Sequence, residues 1–155
     1  MKPSGIAWIG DVPESWSVKR LKYLGVARNG LTYDPNDISD EGSIVLRSMN
    51  VQDGLLCLEN IINVNMPIPQ QLVLQKDDLL ICSRNGSRDL IGKCALIDER
   101  AVGETYGAFM CVYRSVYNRF LYYVMQSPIF GFYLGTFLTS TINQFGSTPE
   151  FWSLV

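Results

Sequence analysis

The sequence predicts an α+β fold, in which a twisted, mainly antiparallel sheet is followed by C-terminal helices. Three observations predict it. The length of 155 residues suits one domain with its own core. Short β-rich apolar runs, separated by turn residues, fill the chain between residues 44 and 113. From Asn118 onward the apolar residues recur at helical spacing.

The N-terminal part of the chain carries weaker signals. Residues 8–16 are rich in turn formers and contain two tryptophans. Val18, Leu21 and Leu24 follow at helix-like spacing, but over so short a segment that a strand and a short helix both remain open. Residues 30–42 are polar and predict a surface loop.

The middle of the chain predicts the sheet. Residues 44–49 alternate in a strand pattern, and residues 55–64 form a second β-rich run. Asp53 and Gly54 suit the turn of a hairpin between them, because this pair tolerates positive φ. Three more apolar runs predict further strands, at residues 79–82, 91–97 and 107–113.

The C-terminal part predicts two short helices. Leu121 and Met125 share one helical face, and Ser127 followed by Pro128 is typical of the start of a second helix. Residues 120–138 are uncharged and contain a GxxxG spacing, so a membrane-spanning helix is the alternative. The interruption at Pro128 and the lack of a basic cluster on one side favour two core-packing helices without membrane contact.

Composition excludes several classes of chemistry. The chain has no histidine, which removes Ser–His and Cys–His nucleophiles, imidazole general bases and histidine-ligated zinc. The four cysteines lack CxxC spacing and are interpreted as buried, reduced thiols. No nucleotide-binding or methyltransferase motif is present, so no cofactor is expected. The acidic pairs Asp77-Asp78 and Asp98-Glu99 suggest a metal-dependent nuclease as an alternative, although acids commonly flank turns.

The net charge of −2 conceals an uneven distribution. Residues 1–30 carry five basic and two acidic side chains, whereas residues 31–60 carry six acidic and one basic. Between residues 79 and 97 three basic side chains accompany one aspartate, and residues 105–149 contain no acid. One face of the folded chain is therefore expected to be cationic although the whole is not.

Polar segments follow several of the predicted elements. Residues 83–89 contain two arginines, and arginine forks with amide neighbours pair with base edges or phosphate oxygens. An ordinary solvated turn is the alternative that composition alone favours. Residues 47–50 and 139–144 are similar polar sets. The aromatic residues nearby are interpreted as core rather than as a platform for unpaired bases; they are Tyr106, Phe109, Tyr113, Tyr117, Phe120, Tyr122 and Tyr123.

Five motifs in a fixed order resemble a known family. They are WIGDVPESW at residues 8–16, RSMNVQDG at 47–54, KDDLLI with LIGK at 76–81 and 90–93, NRFLYY at 118–123, and TSTINQ at 139–144. Together they are similar to a target recognition domain from the specificity subunit of a type I restriction-modification enzyme. The resemblance covers residues 3–145.

This resemblance implies a single target-recognition-type domain over residues 1–145, with residues 146–155 as a divergent or truncated tail without the family's spacer helix. It implies a non-catalytic module that reads half of a split site in double-stranded DNA, without cofactor or metal. The implied partners are the methyltransferase and restriction subunits of the same system, in the cytoplasm, and the absence of a secretory signal predicts the same compartment.

The residues expected to bind DNA lie in the polar segments named above and at the basic end of the LIGK motif. They are Arg47, Ser48, Asn50, Ser83, Arg84, Asn85, Ser87, Arg88, Lys93, Thr139, Ser140, Thr141, Asn143 and Gln144. The alternative function is a protein-interaction role, or a truncated remnant with no DNA binding of its own. The salt dependence of binding distinguishes a DNA-binding role from a protein-interaction role, because contacts to phosphate release counterions whereas protein contacts largely do not.

Overall fold

The computed structural model describes residues 1–138 and 151–152. In these residues the chain forms the strands β1 (Lys2–Pro3), β2 (Asp11–Val12), β3 (Val26–Asn29), β4 (Ile38–Ser39), β5 (Ser43–Leu46), β6 (Val51–Gln52), β7 (Leu55–Leu56), β8 (Ile62–Val64), β9 (Leu79–Cys82), β10 (Cys94–Leu96), β11 (Thr105–Tyr106) and β12 (Met110–Arg114). The helices are α1 (Asn118–Gln126) and α2 (Pro128–Phe137).

The central sheet has the strand order β10-β9-β12-β3, and its neighbours are antiparallel. All four residues of β9 are buried, because both faces of this strand are covered. Leu79 and Ile81 pack in a core with residues of α1 and α2, whereas Leu80 and Cys82 pack in a second core with residues of β5 and β6. Burial on both faces explains why this strand is a continuous apolar run rather than an alternating one.

A second, side sheet has the order β11-β5-β8-β4. Its strands pair antiparallel except β11 and β5, which are parallel. Strands β6 and β7 form a small hairpin of their own. Asp53 (φ 50°) and Gly54 (φ 76°) provide its turn in the left-handed conformation that the sequence predicted.

The two C-terminal helices pack on one face of the central sheet. Leu121 and Met125 of α1 and Phe130, Tyr133 and Leu134 of α2 are buried in the same core. The prediction of two helices is confirmed, since α1 ends before Ser127 and α2 begins at Pro128. Within the described ranges, no helix combines the length and apolar character needed to cross a bilayer.

The predicted fold class, α+β with mainly antiparallel sheets and C-terminal helices, is the one observed. Several boundaries differ from prediction. The open segment after Val18 forms a 3-10 turn at Leu21–Tyr23, and β3 follows it without having been predicted. This strand lies at the edge of the central sheet and is largely exposed, so its sequence shows little apolar pattern. The loop at 30–42 also contains β4.

Four predicted strands are shorter than expected, and the one at 107–113 begins only at Met110 and ends at Arg114. The run at 44–49 ends at Leu46 and continues as a 3-10 turn, Ser48–Asn50. The run at 55–64 splits into β7 and β8. The run at 91–97 keeps only Cys94–Leu96 as strand, because Gly92 (φ 91°) makes a turn in which its amide donates to the Cys82 carbonyl at 2.8 Å.

The interpretation of the aromatic residues as core is wrong for four of the seven. Tyr106 and Tyr113 are fully buried, and Tyr122 is half-buried. The remaining four are exposed, namely Phe109, Tyr117, Phe120 and Tyr123. Of the cysteines, Cys82, Cys94 and Cys111 are buried as predicted, whereas Cys57 is half-buried.

Candidate nucleic-acid interface

Antiparallel pairing brings several chain segments to one end of the central sheet. Met110 pairs with Cys82, and Cys94 pairs with Ile81, so β9 ends where β10 and β12 begin. The loop of residues 83–93, which carries six of the fourteen predicted DNA-binding residues, leaves the sheet at this end. Its backbone is tied to the start of β12, because the amides of Ser83 and Arg84 both donate to the Phe109 carbonyl at 3.1 Å.

The side sheet brings residues 47–50 to the same end. Tyr106 of β11 lies opposite Leu46 of β5, and the Gly107 amide donates to the Leu46 carbonyl at 2.9 Å. The Asn85 side-chain amide then reaches the Ser48 hydroxyl at 3.4 Å. Two of the three predicted polar segments are therefore in contact, although 37 residues separate these side chains in the sequence.

The end of α2 also reaches this surface. The guanidinium of Arg88 donates to the Leu138 carbonyl at 2.6 Å. Leu138 immediately precedes the third predicted segment, which comprises Thr139, Ser140, Thr141, Asn143 and Gln144 and lies outside the described residues. The described chain thus leads into that segment directly beside Arg88.

Exposure divides the described members of the predicted set into three groups. Arg84, Ser87, Arg88 and Lys93 are exposed, while Arg47, Ser48 and Asn85 are half-buried. Asn50 and Ser83 are buried.

The buried pair corrects the predicted set of contact residues. The Asn50 amide accepts from the Arg47 backbone at 2.9 Å and donates to the carbonyls of Cys57 (2.9 Å) and Glu59 (3.3 Å). The Ser83 hydroxyl donates to the Phe109 carbonyl at 3.2 Å. Both side chains hold the loops together, so they are framework residues rather than surface contacts.

Four basic side chains at this end have no carboxylate partner in the part of the chain that is described. We call this surface the cationic end; its residues are Arg47, Arg84, Arg88 and Lys93. Each carboxylate that forms an ion pair within residues 1–138 pairs with another group. Three acidic residues lie in the same segments, namely Asp53, Glu59 and Asp89. None of them forms an ion pair with these four basic side chains. A cleft of about 410 Å³ runs between Ser48 and Lys93.

The opposite end of the central sheet carries matched charges. Asp78, which precedes β9, binds Arg114 at the end of β12 through two hydrogen bonds of 2.7 and 2.6 Å, and this raises the pKa of the Arg114 guanidinium. Three exposed pairs surround it. They are Asp77–Arg119 (3.0 Å), Lys76–Glu99 (2.6 Å) and Asp98–Arg100 (2.8 Å). We call these eight residues the ion-paired end.

The ion pairs bear on the metal-dependent nuclease alternative. Both acidic pairs that suggested it, Asp77-Asp78 and Asp98-Glu99, consist of carboxylates that already bind basic side chains. Among the described residues no cluster of three candidate metal ligands occurs. The turn-flanking interpretation of these acids therefore fits the geometry better.

A third surface, which the sequence did not predict, is an apolar groove of about 430 Å³ between the N-terminal segment and the helices. Its lining includes Trp8, Leu21, Phe120, Val124 and Ile129, and we call it the aromatic groove. The Trp8 ring stacks on Tyr133 with 5.9 Å between centroids. Contiguous exposed apolar surface of this kind marks interaction sites on soluble proteins.

Sequence reasoning also missed Phe109 as part of the cationic end. Its ring is 54% exposed and lies 4.7 Å from the guanidinium carbon of Arg84. The sequence pattern groups the aromatic residues with the core, whereas Gly107, two residues before Phe109, is a local signal for a turn.

Basic side chains that form no ion pair in the described chain lie together on loops at one end of this α+β fold, an arrangement expected of a binding module. Comparison with known proteins points to the same class, although no family model matches the chain. The chain is 26% identical over 152 residues to the type I restriction enzyme MjaVIII specificity subunit of Methanocaldococcus jannaschii, covering 91% of this chain and 35% of that protein.

A solved structure gives the same fold. A chain from work on the complex assembly and conformational transition of the type I R-M system matches 87% of this chain with a TM-score of 0.63 and 18% identity. This chain spans about a third of the length of either relative, 35% and 32% respectively. The resemblance to a type I specificity subunit is therefore confirmed by the sequence match, and the fold is that of a chain from a type I R-M system.

Proposed function

We propose that this chain binds double-stranded DNA sequence-specifically, as the half-site recognition module of a type I restriction-modification system. In this role residues 1–145 read the DNA and direct methyltransferase and restriction subunits, which carry out the chemistry in the cytoplasm. One observation carries the proposal: two distant polar loops meet at the cationic end, where four basic side chains lack a carboxylate partner in the described chain.

The chemistry of the exposed residues fits DNA. Arginine presents a planar fork that pairs with guanine O6 and N7 or with phosphate oxygens, and lysine acts as a point charge on phosphate. Arg84 and Arg88 are assigned the first role and Lys93 the second. Ser48 and Ser87 add hydroxyl groups, and residues 139–144 are proposed to contribute as well because their sequence resembles the TSTINQ segment of the family.

Asn85 has a smaller part in this proposal. Its amide oxygen accepts a hydrogen bond from the Ser87 backbone at 2.8 Å, and its amide nitrogen donates to the Ser48 hydroxyl at 3.4 Å. Arg47 is similarly restrained, because it donates to the Asn60 carbonyl at 2.9 Å. These two residues shape the loops and add charge or hydrogen-bonding capacity at their margins.

The experiment is selection of bound duplexes from a random DNA library at about 0.1–0.15 M salt, where sequence-independent phosphate binding is already suppressed. We expect enrichment of one motif of a few base pairs. Folded protein that enriches no motif contradicts autonomous recognition by this chain.

A second candidate function, protein docking, is favoured by the aromatic groove. We propose the methyltransferase subunit as its occupant, because the chain is similar to a specificity subunit and to a chain from work on the complex assembly of a type I R-M system. Replacing Phe120 and Ile129, both more than half exposed, by serine should weaken binding to the purified methyltransferase subunit without changing DNA affinity. Unchanged methyltransferase binding by this variant contradicts the docking role.

A further inference from the structure

Phe109 lies in the turn between β11 and β12, beside Arg84 of the cationic end. The Met110 amide donates to the Gly107 carbonyl at 2.9 Å, which closes a tight turn. The Phe109 carbonyl accepts three hydrogen bonds from the neighbouring loop, from the amides of Ser83 and Arg84 at 3.1 Å and from the Ser83 hydroxyl at 3.2 Å. The residue is therefore fixed to the base of that loop.

The Phe109 ring is exposed but it is not without contacts. The Arg84 guanidinium lies over it at 4.7 Å. A guanidinium on an aromatic face keeps its edge nitrogens free to donate, because the ring contacts only the flat side of the group. The stacked arrangement also limits the rotamers of a long side chain, which lowers the entropy lost when it binds.

The other two arginines of the cationic end are held by hydrogen bonds within the chain. Arg88 is bound to the Leu138 carbonyl, and Arg47 to the Asn60 carbonyl, so each uses part of its fork within the chain. For Arg84, the described residues supply the ring contact but no acceptor for its guanidinium. Arg84 is thus the arginine whose whole fork is both oriented and available.

We propose that Phe109 is a positioning residue that orients Arg84 for bidentate pairing with a guanine in the major groove. It acts on discrimination between sequences and leaves general DNA affinity unchanged. This inference rests on the proposed function. It adds that the base contacted by Arg84 is a guanine and that Phe109 sets the orientation of the Arg84 side chain.

The test compares binding of two duplexes, one carrying the enriched motif and one with that motif scrambled. Phe109→Ala should lower the ratio of the two affinities by about two- to fivefold, the usual size of an exposed cation–π contact, with the scrambled duplex bound as before. Phe109→Tyr should restore the ratio because it keeps the ring, and Phe109→Leu should not. The carbonyl that anchors the loop is present in every variant.

A double-mutant cycle tests whether Phe109 acts through Arg84. In the Arg84→Ala variant, the further substitution Phe109→Ala should have no effect on the ratio of the two affinities. Additive effects, or equal ratios for Phe109→Leu and Phe109→Tyr, overturn the positioning role while leaving the proposed function intact. If Arg84→Ala itself leaves the ratio unchanged, the inference fails, and if no motif is enriched at all, the proposed function fails with it.

Discussion

The two ends of the central sheet differ in whether their basic side chains form ion pairs. At the ion-paired end, four basic side chains meet four carboxylates, all within 3.0 Å. At the cationic end, the four basic side chains form no ion pair within the described residues. The ion-paired end also carries the exposed Lys19 and Lys22 outside these pairs, so the two ends differ in how many of their basic side chains are paired within the described chain.

This difference supports the proposal that a protein with a net charge of −2 binds a polyanion at one end of its central sheet. Total charge does not decide the matter, because charges paired within the chain create little field outside it. What counts is the local set of basic groups without partners, which the topology gathers from loops far apart in the sequence.

The largest expected effect is at the ion-paired end. Asp78 is 1% exposed and Arg114 29% exposed, so Asp78→Ala leaves a partly buried guanidinium without its partner. We expect the free energy of unfolding to fall by about 3 kcal/mol, the lower end of the range for a broken buried pair, because Arg114 keeps some access to water. Urea denaturation measures this.

Glu99→Ala is the matched control, since it breaks the exposed pair with Lys76 at the same end. Its effect should be a small fraction of the first, because exposed ion pairs contribute little. Equal losses in the two variants would contradict the distinction between buried and exposed pairs.

The sheet between the two ends gives stability a pH dependence. Burial raises the pKa of the Cys94 and Cys111 thiols from 9.0 to about 12. Above pH 9 the unfolded chain loses these protons while the folded chain keeps them, so unfolding becomes more favourable as pH rises towards 12. Denaturation at pH 8 and pH 10 should differ by about 1.4 kcal/mol for each thiol.

Cys111→Ala tests the cause of this alkaline destabilisation. Removing one of the two thiols should make the pH dependence shallower, whatever the variant does to stability at pH 8. A slope identical to that of the unmodified chain would show that other groups are responsible.

A smaller stability effect, coupled to binding, is expected at the cationic end. Asn50→Ala removes the amide that joins Arg47, Cys57 and Glu59. Loss of about 1–3 kcal/mol in the free energy of unfolding is expected, since buried backbone groups lose their partners. The variant should also weaken DNA binding, because Ser48 and Arg47 lose their support. Stability and binding both unchanged would remove Asn50 from the framework.

The fold was predictable where burial is uniform or the turn chemistry is strict. Leu79–Cys82 is apolar because both faces are covered, and Ser127-Pro128 separates the helices by its own preferences. Strand β3 was not predictable, because an exposed edge strand needs no apolar pattern.

The candidate site was predictable in its segments but not in its geometry. The sequence identified the arginine loop, yet it could not distinguish exposed Arg84 from buried Asn50, since both residues are polar. Nor could it place Phe109 on the surface, because an aromatic residue more often belongs to a core. The meeting of Ser48 with Asn85, and of Arg88 with Leu138, depends on tertiary pairing across 37 and 50 residues.

The most direct test of the account removes the same charge from each end of the central sheet. Arg84→Ala/Arg88→Ala changes the cationic end, and Lys19→Ala/Lys22→Ala removes two exposed lysines before β3, at the opposite end. Binding to the enriched duplex is then measured across a salt series. If the cationic end binds DNA, the arginine variant should lose about tenfold or more in affinity and show a shallower salt dependence. The lysine variant should bind like the unmodified chain, and equal losses in the two variants would contradict the assignment of DNA binding to the cationic end.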